Sequence, residues 1–380
     1  DLAIQRRESD LVGATFGRGF YILDDYSPLR EVTSEMLASQ TVLFGVRQTP
    51  WYVPQRTLGC GSPECVASRG DGDYRAPNPT FGATFTYYLP ESLQTRQEAR
   101  RDVEKEQEKA NRDVAFPSWT DIRTEELEGE PAIVLTVTDA EGNVLRQLDG
   151  PIGAGFHRVT WDLRFAPVNA WAPRAEGDDD DGPLGVLVPP GTYTVSMATR
   201  IDGVFTPVSR AQAFEVVSVR PSPVLPGSDQ STRVAFERDV EELRRTAQGA
   251  SARIDEVVAE LGAIQEVLAR FSDGAAFRAT ATALARAFQL QKDEIGGHET
   301  RSVFGDDRVT VGSWLWHARF TPNSNVYGPT DAQRASLERA REQLGTVRTA
   351  LAEHEATYTR LKDALDAARV PWTPGRPVAP

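Results

Sequence analysis

The chain has little cysteine and histidine, no long apolar run and no excess of positive charge. Two cysteines and four histidines in 380 residues argue against a structural zinc site, which usually takes four such ligands. No run reaches the roughly 18 apolar residues that cross a bilayer as a helix. The net charge of −13 argues against general binding to nucleic acids or anionic membranes, which requires surplus Lys and Arg. We therefore predict no metal, no cofactor, no transmembrane segment and no nucleic-acid partner.

The signatures of common enzymes are also absent. The sequence contains no Gly-x-Ser-x-Gly, no His-Glu-x-x-His, no phosphate-binding loop and no dinucleotide fingerprint. Asp24 and Asp25 are adjacent at a predicted strand end, where neighbouring side chains point to opposite faces, so they do not form the facing pair of a glycosidase. We predict a turn or capping role for them. No catalytic residue is predicted, and a non-enzymatic role is favoured for this chain.

The two cysteines are close together in the sequence. Cys60 and Cys65 enclose Gly-Ser-Pro-Glu, in which Gly61 and Pro63 favour a tight turn. This spacing predicts a small disulfide loop, with two free thiols as the alternative, and a disulfide would imply an oxidising compartment. No signal peptide is present, but the sequence begins at Asp1 rather than Met, so we expect the natural start to lie upstream.

Residues 1–44 predict a pair of strands and a short helix. Strands at 10–16 and 20–23 flank two glycines, which is the turn chemistry of a β-hairpin, and the helix is expected at 31–38. Two strands alone are marginal in water, and no repeat of the pattern follows, so the pair needs further strands. The strand residues that we expect to meet them are Leu11, Val12, Phe20, Ile22 and Leu23.

Residues 81–220 carry short alternating strands with turn signals between them, the pattern of a β-sandwich. An irregular connector at 45–80 precedes it. A charged insert at 91–115 predicts a solvated helix, with a partner-binding charged face as the alternative. The acidic loop at 176–182 predicts disorder, with a calcium site as the weaker alternative. The predicted strands are residues 81–89, 132–138, 143–148, 155–161, 191–197 and 213–217.

Two runs in the C-terminal third carry apolar residues at alternating steps of three and four. This spacing places one apolar stripe along each of two long helices, as in a coiled coil. We predict that the stripes pack on each other as an antiparallel hairpin over 228–370, before a Pro-rich tail at 371–380. Pairing between two copies in a homodimer is less favoured. Representative seam positions are Ile254, Leu261, Leu268, Leu344, Leu351 and Leu361.

An insertion at 272–329 separates the two long helices. It predicts a shorter helix at 275–291 and then an irregular segment that contains Trp314, Trp316 and Phe320. If this segment is extended, the two tryptophans share one face. These aromatic residues either plug the base of the hairpin or form an exposed platform for a sugar or a protein partner.

Several segments resemble, in the same order, bacterial exported sortilin-like proteins with BNR repeats, which often carry a glycosyl hydrolase label. Residues 10–25, Asp-Leu-Val-Gly-Ala-Thr-Phe-Gly-Arg-Gly-Phe-Tyr-Ile-Leu-Asp-Asp, with Ser-Pro-Leu-Arg at 27–30, resemble the last blade of their β-propeller. Their Ig-like module is similar to that of flagellar hook-capping proteins. Residues 78–89 resemble the segment that follows their propeller. Residues 132–161 and 190–193 resemble the Ig-like module, and residues 328–331 resemble the C-terminal region.

The resemblance implies an α+β multidomain protein with terminal propeller strands, an Ig-like antiparallel β-sandwich and a long α-helical hairpin. It also implies an extracytoplasmic location, in the periplasm, at the cell surface or secreted. Family members carry a large propeller ahead of these modules, whereas this chain keeps only its final strands. No catalytic residue is therefore transferred from the family.

Two functions fit these features. The favoured one is a non-catalytic interaction and assembly chain, whose N-terminal strands complete a propeller supplied by another polypeptide through strand addition. The expected partner is then the chain that carries the rest of the propeller. The alternative is the C-terminal accessory portion of a secreted, glycosidase-like hydrolase with its active site in the propeller that this chain lacks.

Overall fold

The computed structural model confirms a mixed α+β architecture. It divides into two compact units, the first comprising Asp1–Ala166 and Leu187–Ser222, the second Pro167–Val186 and Pro223–Pro380. The predicted acidic loop, Cys60 and Cys65 lie outside the described part of the chain. The structure describes residues 1–17, 19–54, 79–167, 185–219, 230–271, 274–298, 308–319 and 328–376.

The described residues of the first unit form three sheets. One has the order β1-β2-β3, one β4-β6-β9, and the largest β5-β12-β10-β7-β8 with β11 paired to β10. All pairings are antiparallel except that of β12 with β5. The strands are β1 Leu2–Gln5, β2 Asp10–Thr15, β3 Gly19–Leu23, β4 Val42–Leu43, β5 Thr49–Trp51, β6 Ala83–Leu89, β7 Ala132–Thr138, β8 Val144–Gly150, β9 Gly155–Trp161, β10 Gly191–Ile201, β11 Val204–Pro207 and β12 Gln212–Ser218.

Aromatic side chains join the β4-β6-β9 sheet to the largest sheet. The ring centroids of Phe85 and Phe214 are 5.6 Å apart, and those of Trp161 and Tyr193 are 5.4 Å apart. All four side chains are buried. Alternate residues of a strand point to the same face of its sheet, which lets each strand direct such side chains into one layer. This layer is the core of the first unit.

The predicted connector at 45–80 is partly regular where it is described. Strand β5 adds a parallel edge to the largest sheet through Thr49, Pro50 and Trp51. Trp51 is buried, and its indole N–H donates to the carbonyl of Val188 at 2.6 Å. A single buried tryptophan anchors the segment, and such an anchor has no periodic sequence signal.

Four helices lie in the described part of the first unit. The four are α1 Ser27–Glu31, α2 Ser34–Ser39, α3 Arg96–Lys109 and α4 Trp119–Leu127. The predicted helix at 31–38 corresponds to α2, and the predicted helix in the charged insert at 91–115 corresponds to α3. The sequence reading missed α1, most of which precedes residue 31, and α4, which follows the insert.

Four helices also form the described part of the second unit, and their apolar faces share one core. They are α5 Gln230–Leu268, α6 Ala275–Gly296, α7 Val311–Arg319 and α8 Asp331–Ala367. The predicted seam positions lie in this core, Leu351 partly buried and the others buried. No described helix is both long enough and apolar enough to span a membrane.

The predicted antiparallel hairpin is wrong, because α5 and α8 run in the same direction. Near the start of both helices, the guanidinium of Arg334 lies 5.9 Å from the ring centre of Phe236. Near their ends, the hydroxyl of Tyr358 donates to the carboxylate of Glu260. Contacts that advance together along both sequences define a parallel pair.

The return path between the long helices explains this direction. Helix α6 runs back along α5, where Lys292 pairs with Asp255, and α7 continues the same way to Arg319, whose guanidinium is 3.3 Å from Glu241. The predicted irregular segment is therefore partly a helix that belongs to the core. The two helices supply one apolar stripe, formed by Ala281, Leu284, Phe288, Ile295, Val311, Leu315 and Ala318.

The described residues after α8, 368–376, fold back on it, so the described part of the predicted tail is packed against the helix. The Arg376 side chain is buried, pairs with Asp366 and donates to the carbonyl oxygens of Val370 at 3.1 Å and Pro371 at 2.7 Å. The indole N–H of Trp372 donates to the Arg376 carbonyl at 2.9 Å. One arginine thus ties the segment that follows the helix to the Asp366 carboxylate on α8.

Candidate interaction surface

The β1-β2-β3 sheet carries apolar side chains on both faces. In its register, Leu11 lies opposite both Ile4 and Leu23, while Val12 lies opposite Ile22. Because residues opposite each other share a face and neighbours alternate, the two faces follow directly from these pairs. One face carries Leu2, Ile4, Leu11, Tyr21 and Leu23, and the other carries Ala3, Val12, Ala14, Phe20 and Ile22.

Most of these large side chains are exposed. Leu2 is 70% exposed on one face, and Phe20 and Ile22 are 78% and 61% exposed on the other. Antiparallel sheets usually have one apolar and one solvated face, whereas a sheet that is apolar on both faces is typical of one covered on both sides. Contiguous exposed apolar surface of this kind marks interaction sites.

Both edges of the sheet are open within the described residues. Among the strands that the structure describes, β1 and β3 each pair only with β2. Neither strand contains a charged residue or a proline, the features that natural edge strands use to prevent unwanted pairing. The sheet can therefore accept a strand as well as a covering layer.

Hydrogen bonds hold this sheet to the rest of the first unit. Arg158 on β9 donates to the carbonyl of Asp25 at 2.5 Å. Arg47 donates to the carbonyl of Glu8 at 3.0 Å, and its guanidinium is 3.8 Å from the Asp10 carboxylate. The sheet is thus anchored by polar contacts while its apolar side chains remain uncovered.

Of the Asp24–Asp25 pair, Asp25 makes local capping contacts next to the start of α1. The Asp25 carboxylate accepts from the hydroxyl of Ser27 at 2.5 Å, and the Asp25 N–H donates to the Asp10 carboxylate at 2.9 Å. Asp25 itself is buried with a φ of 45°. These contacts use the Asp25 carboxylate in local structure.

The structure separates the predicted aromatic platform. Residues 311–319 are helix α7, so the extended conformation in which Trp314 and Trp316 share a face is wrong. Trp314 is partly buried under the guanidinium of Arg339, 4.8 Å from its ring centre. Trp316 is 57% exposed, with its ring 5.1 Å from that of His317. Two positions on a helix differ by about 200° around its axis, which explains the separation. Phe320 lies outside the described residues.

The described histidines make local contacts. The Nε2 atom of His157 lies 2.6 Å from the carbonyl oxygen of Gly153, and the His354 ring lies 5.6 Å from that of Phe288 in the helical core. Within the described ranges, no three His, Cys, Asp or Glu side chains come together as metal ligands could.

Strand β1 is the part of this surface that sequence reasoning missed. It has only four residues, and its signal is the placement of Leu2 and Ile4 two positions apart.

Comparison of the chain with models of known protein families, with curated proteins and with solved structures finds no match. Function therefore has to be inferred from the surfaces of the chain itself.

Proposed function

We propose that this chain is a non-catalytic interaction and assembly subunit of an exported complex. Its N-terminal sheet is completed by β-structure from another polypeptide, which adds a strand at an open edge and covers the apolar faces. The observation that carries the proposal is the exposure of large apolar side chains on both faces of β1-β2-β3.

The energetics favour such a partner. Full burial of a large apolar side chain contributes about 1.5–3 kcal/mol. Covering the five most exposed large apolar residues of the β1-β2-β3 sheet would therefore contribute on the order of 5–10 kcal/mol before the costs of association. The five are Leu2, Ile4, Phe20, Tyr21 and Ile22.

The partner that fits this sheet is the remainder of a β-propeller. Propeller blades are small antiparallel sheets arranged radially, so each blade has a neighbouring blade on both of its faces. The sequence resemblance of residues 10–30 to a terminal blade supports this choice, as the resemblance of residues 132–161 supports an Ig-like module. The resemblance and the spacing of the two cysteines also support an extracytoplasmic location.

The test compares two strand residues of equal exposure. Ile22 on β3 and Val144 on β8 are both 61% exposed. The chain is tagged at its gene in the native host and carries a photo-crosslinking residue at position 20, on the same face of the sheet as Ile22, and the crosslinked partner is identified by mass spectrometry. We expect Ile22→Asp to reduce crosslinking at least about tenfold, because a carboxylate would enter an apolar interface, and Val144→Asp to leave it unchanged.

Equal loss with both variants, or retention with both, would contradict the proposal. A crosslink to propeller strands in a polypeptide continuous with this chain would instead favour the accessory portion of a hydrolase. The mass of the crosslinked product separates these results, since this chain alone contributes 41.8 kDa.

A further inference from the structure

The helices α3 and α4, which lie between β6 and β7, form an arm that the core does not use. Neither helix contains a buried residue. Several apolar side chains of the arm are instead strongly exposed, among them Phe116 and Trp119 at 80% each. Apolar burial in the core therefore does not explain why these helices are present.

Both helices of the arm begin with a complete capping box. The Thr95 side chain accepts from the backbone N–H of Glu98, whose carboxylate accepts from the N–H of Thr95 in return. Ser118 and Asp121 make the same reciprocal pair at the start of α4. Reciprocal capping satisfies free N–H groups at each helix start and fixes where the helices begin.

Arg100 links the two helices. Its guanidinium donates to both carboxylate oxygens of Glu125, at 2.7 and 2.8 Å, and to Glu104 at 2.5 Å. The hydrogen bonds from Arg100 hold the pKa of Glu125 below its usual range. Bidentate pairs of this kind fix relative orientation as well as attraction. The arm is preorganised around this arginine.

A cleft of about 430 Å³ lies beside Arg100. Part of its lining is apolar and comes from the segment that joins the helices, with Val114, Phe116 and Pro117, and from Ile122 on α4. Its volume is within the range of small ligand sites, about 300–1,000 Å³. A preformed cleft with a mixed polar and apolar lining and an exposed phenylalanine has the form of an anchor site.

The charge around the cleft is negative. Glu104, Glu125 and Glu126 line it, against the single positive charge of Arg100. Over residues 91–130 the sequence has twelve acidic and seven basic side chains, a net charge of −5. This excess disfavours an anionic membrane or a nucleic acid as occupant and favours a cation.

We propose that the α3–α4 cleft docks a short segment of a protein partner, in which an apolar or aromatic side chain lies beside Lys or Arg. The apolar side chain enters the cleft against Phe116, and the cationic side chain lies against Glu126. This contact is independent of the N-terminal sheet.

The experiment measures peptide binding to the full chain by fluorescence anisotropy. The probe is a short fluorescein-labelled peptide with Leu and Trp flanked by Lys and Arg, and the comparison peptide replaces each cation with Glu. We expect the basic peptide to bind and the acidic one not to bind. Phe116→Ala should weaken binding at least about tenfold. Glu126→Gln should weaken it about two- to fivefold and reduce its salt dependence.

Two matched variants serve as controls. Leu127 is as exposed as Phe116, at 80%, and Glu108 is an exposed α3 carboxylate, but neither lines the cleft. Leu127→Ala and Glu108→Gln should leave the affinity unchanged. Binding that survives Phe116→Ala would show general attraction to an acidic surface and overturn the proposal. Absence of binding by the basic peptide, or self-association of the chain that Phe116→Ala abolishes, would also overturn it.

Discussion

The helical unit and the N-terminal sheet are both rich in regularly spaced apolar residues, but they differ in what covers those residues. In α5 the seam positions Ile254, Leu261 and Leu268 are fully buried by neighbouring helices of the same unit. On β3, Phe20 and Ile22 are mostly exposed. Both regions show the sequence pattern of a core, but only the first has its complementary surface among the described residues of its own unit.

The difference shows that apolar periodicity predicts a buried face without saying which chain buries it. The apolar face of α5, which repeats every 3.6 residues, packs against α6, α7 and α8. A two-residue period produced a hydrogen-bonded sheet whose faces remain open. In such a region, exposure is the observation that points to function.

The largest expected effect comes from equal truncations in the two regions. Phe288→Ala removes a fully buried ring from the helical core and should lower the free energy of unfolding by about 3–5 kcal/mol. Phe20→Ala on the exposed sheet should change it by less than about 0.5 kcal/mol in the isolated chain. Urea denaturation followed by far-UV circular dichroism measures both. Similar losses would mean that Phe20 is covered within the chain.

A second comparison tests whether the segment after α6 belongs to the core. Leu315 on α7 is buried and Trp316 beside it is mostly exposed. Leu315→Ala should lower the free energy of unfolding by about 2–4 kcal/mol, and Trp316→Ala by less than about 1 kcal/mol. If the tryptophan variant lost more stability than the leucine variant, the placement of α7 would be wrong.

The smallest effect contrasts two tyrosines of the first unit. The buried Tyr87 hydroxyl donates to the Pro151 carbonyl at 2.6 Å, whereas Tyr21 lies on the open sheet with 65% exposure. Tyr87→Phe should cost about 0.5–1.5 kcal/mol because it removes this hydrogen bond. Tyr21→Phe should be neutral. Thermal unfolding near pH 7 distinguishes them.

The dependence of stability on pH follows from the burial of Tyr87. Burial raises the pKa of Tyr87 well above its usual value, so the folded state keeps its proton while the unfolded chain loses it above about pH 10. The unfolded state then binds fewer protons, and stability falls as pH rises through this range. The Tyr87→Phe variant should lose less stability than the unmodified chain as the pH rises above about 10. If both chains lost the same stability in this pH range, the raised pKa of Tyr87 would be contradicted.

The sequence predicts the elements of this protein better than their arrangement. Strands β7 and β9 and the long helices are visible in their periodicity because side-chain alternation depends on local geometry. The parallel direction of α5 and α8 was not predictable from the heptads, since an apolar stripe is compatible with either direction. It depends on α7, a nine-residue helix whose Trp314 and Trp316 suggested an extended segment.

The candidate surface was only half visible in the sequence. Leu11, Val12, Phe20, Ile22 and Leu23 predicted a strand pair that needs a partner, and the structure shows the pair as β2 and β3. Strand β1 was missed because its four residues give only one alternating pair of large apolar side chains, Leu2 and Ile4. The α3–α4 cleft could not be foreseen, because it depends on one arginine that joins two carboxylates on different helices.

Hydrogen exchange of the amides in residues 2–23 tests the central claim most directly. The measurement compares the isolated chain with the assembly purified from its native host. We expect the outward amides of β1 and β3 to exchange rapidly in the isolated chain and to be protected at least about tenfold in the assembly, because a new strand and covering layers exclude water. Strong protection of β1 and β3 in the isolated monomer, unchanged in native material, would contradict the account.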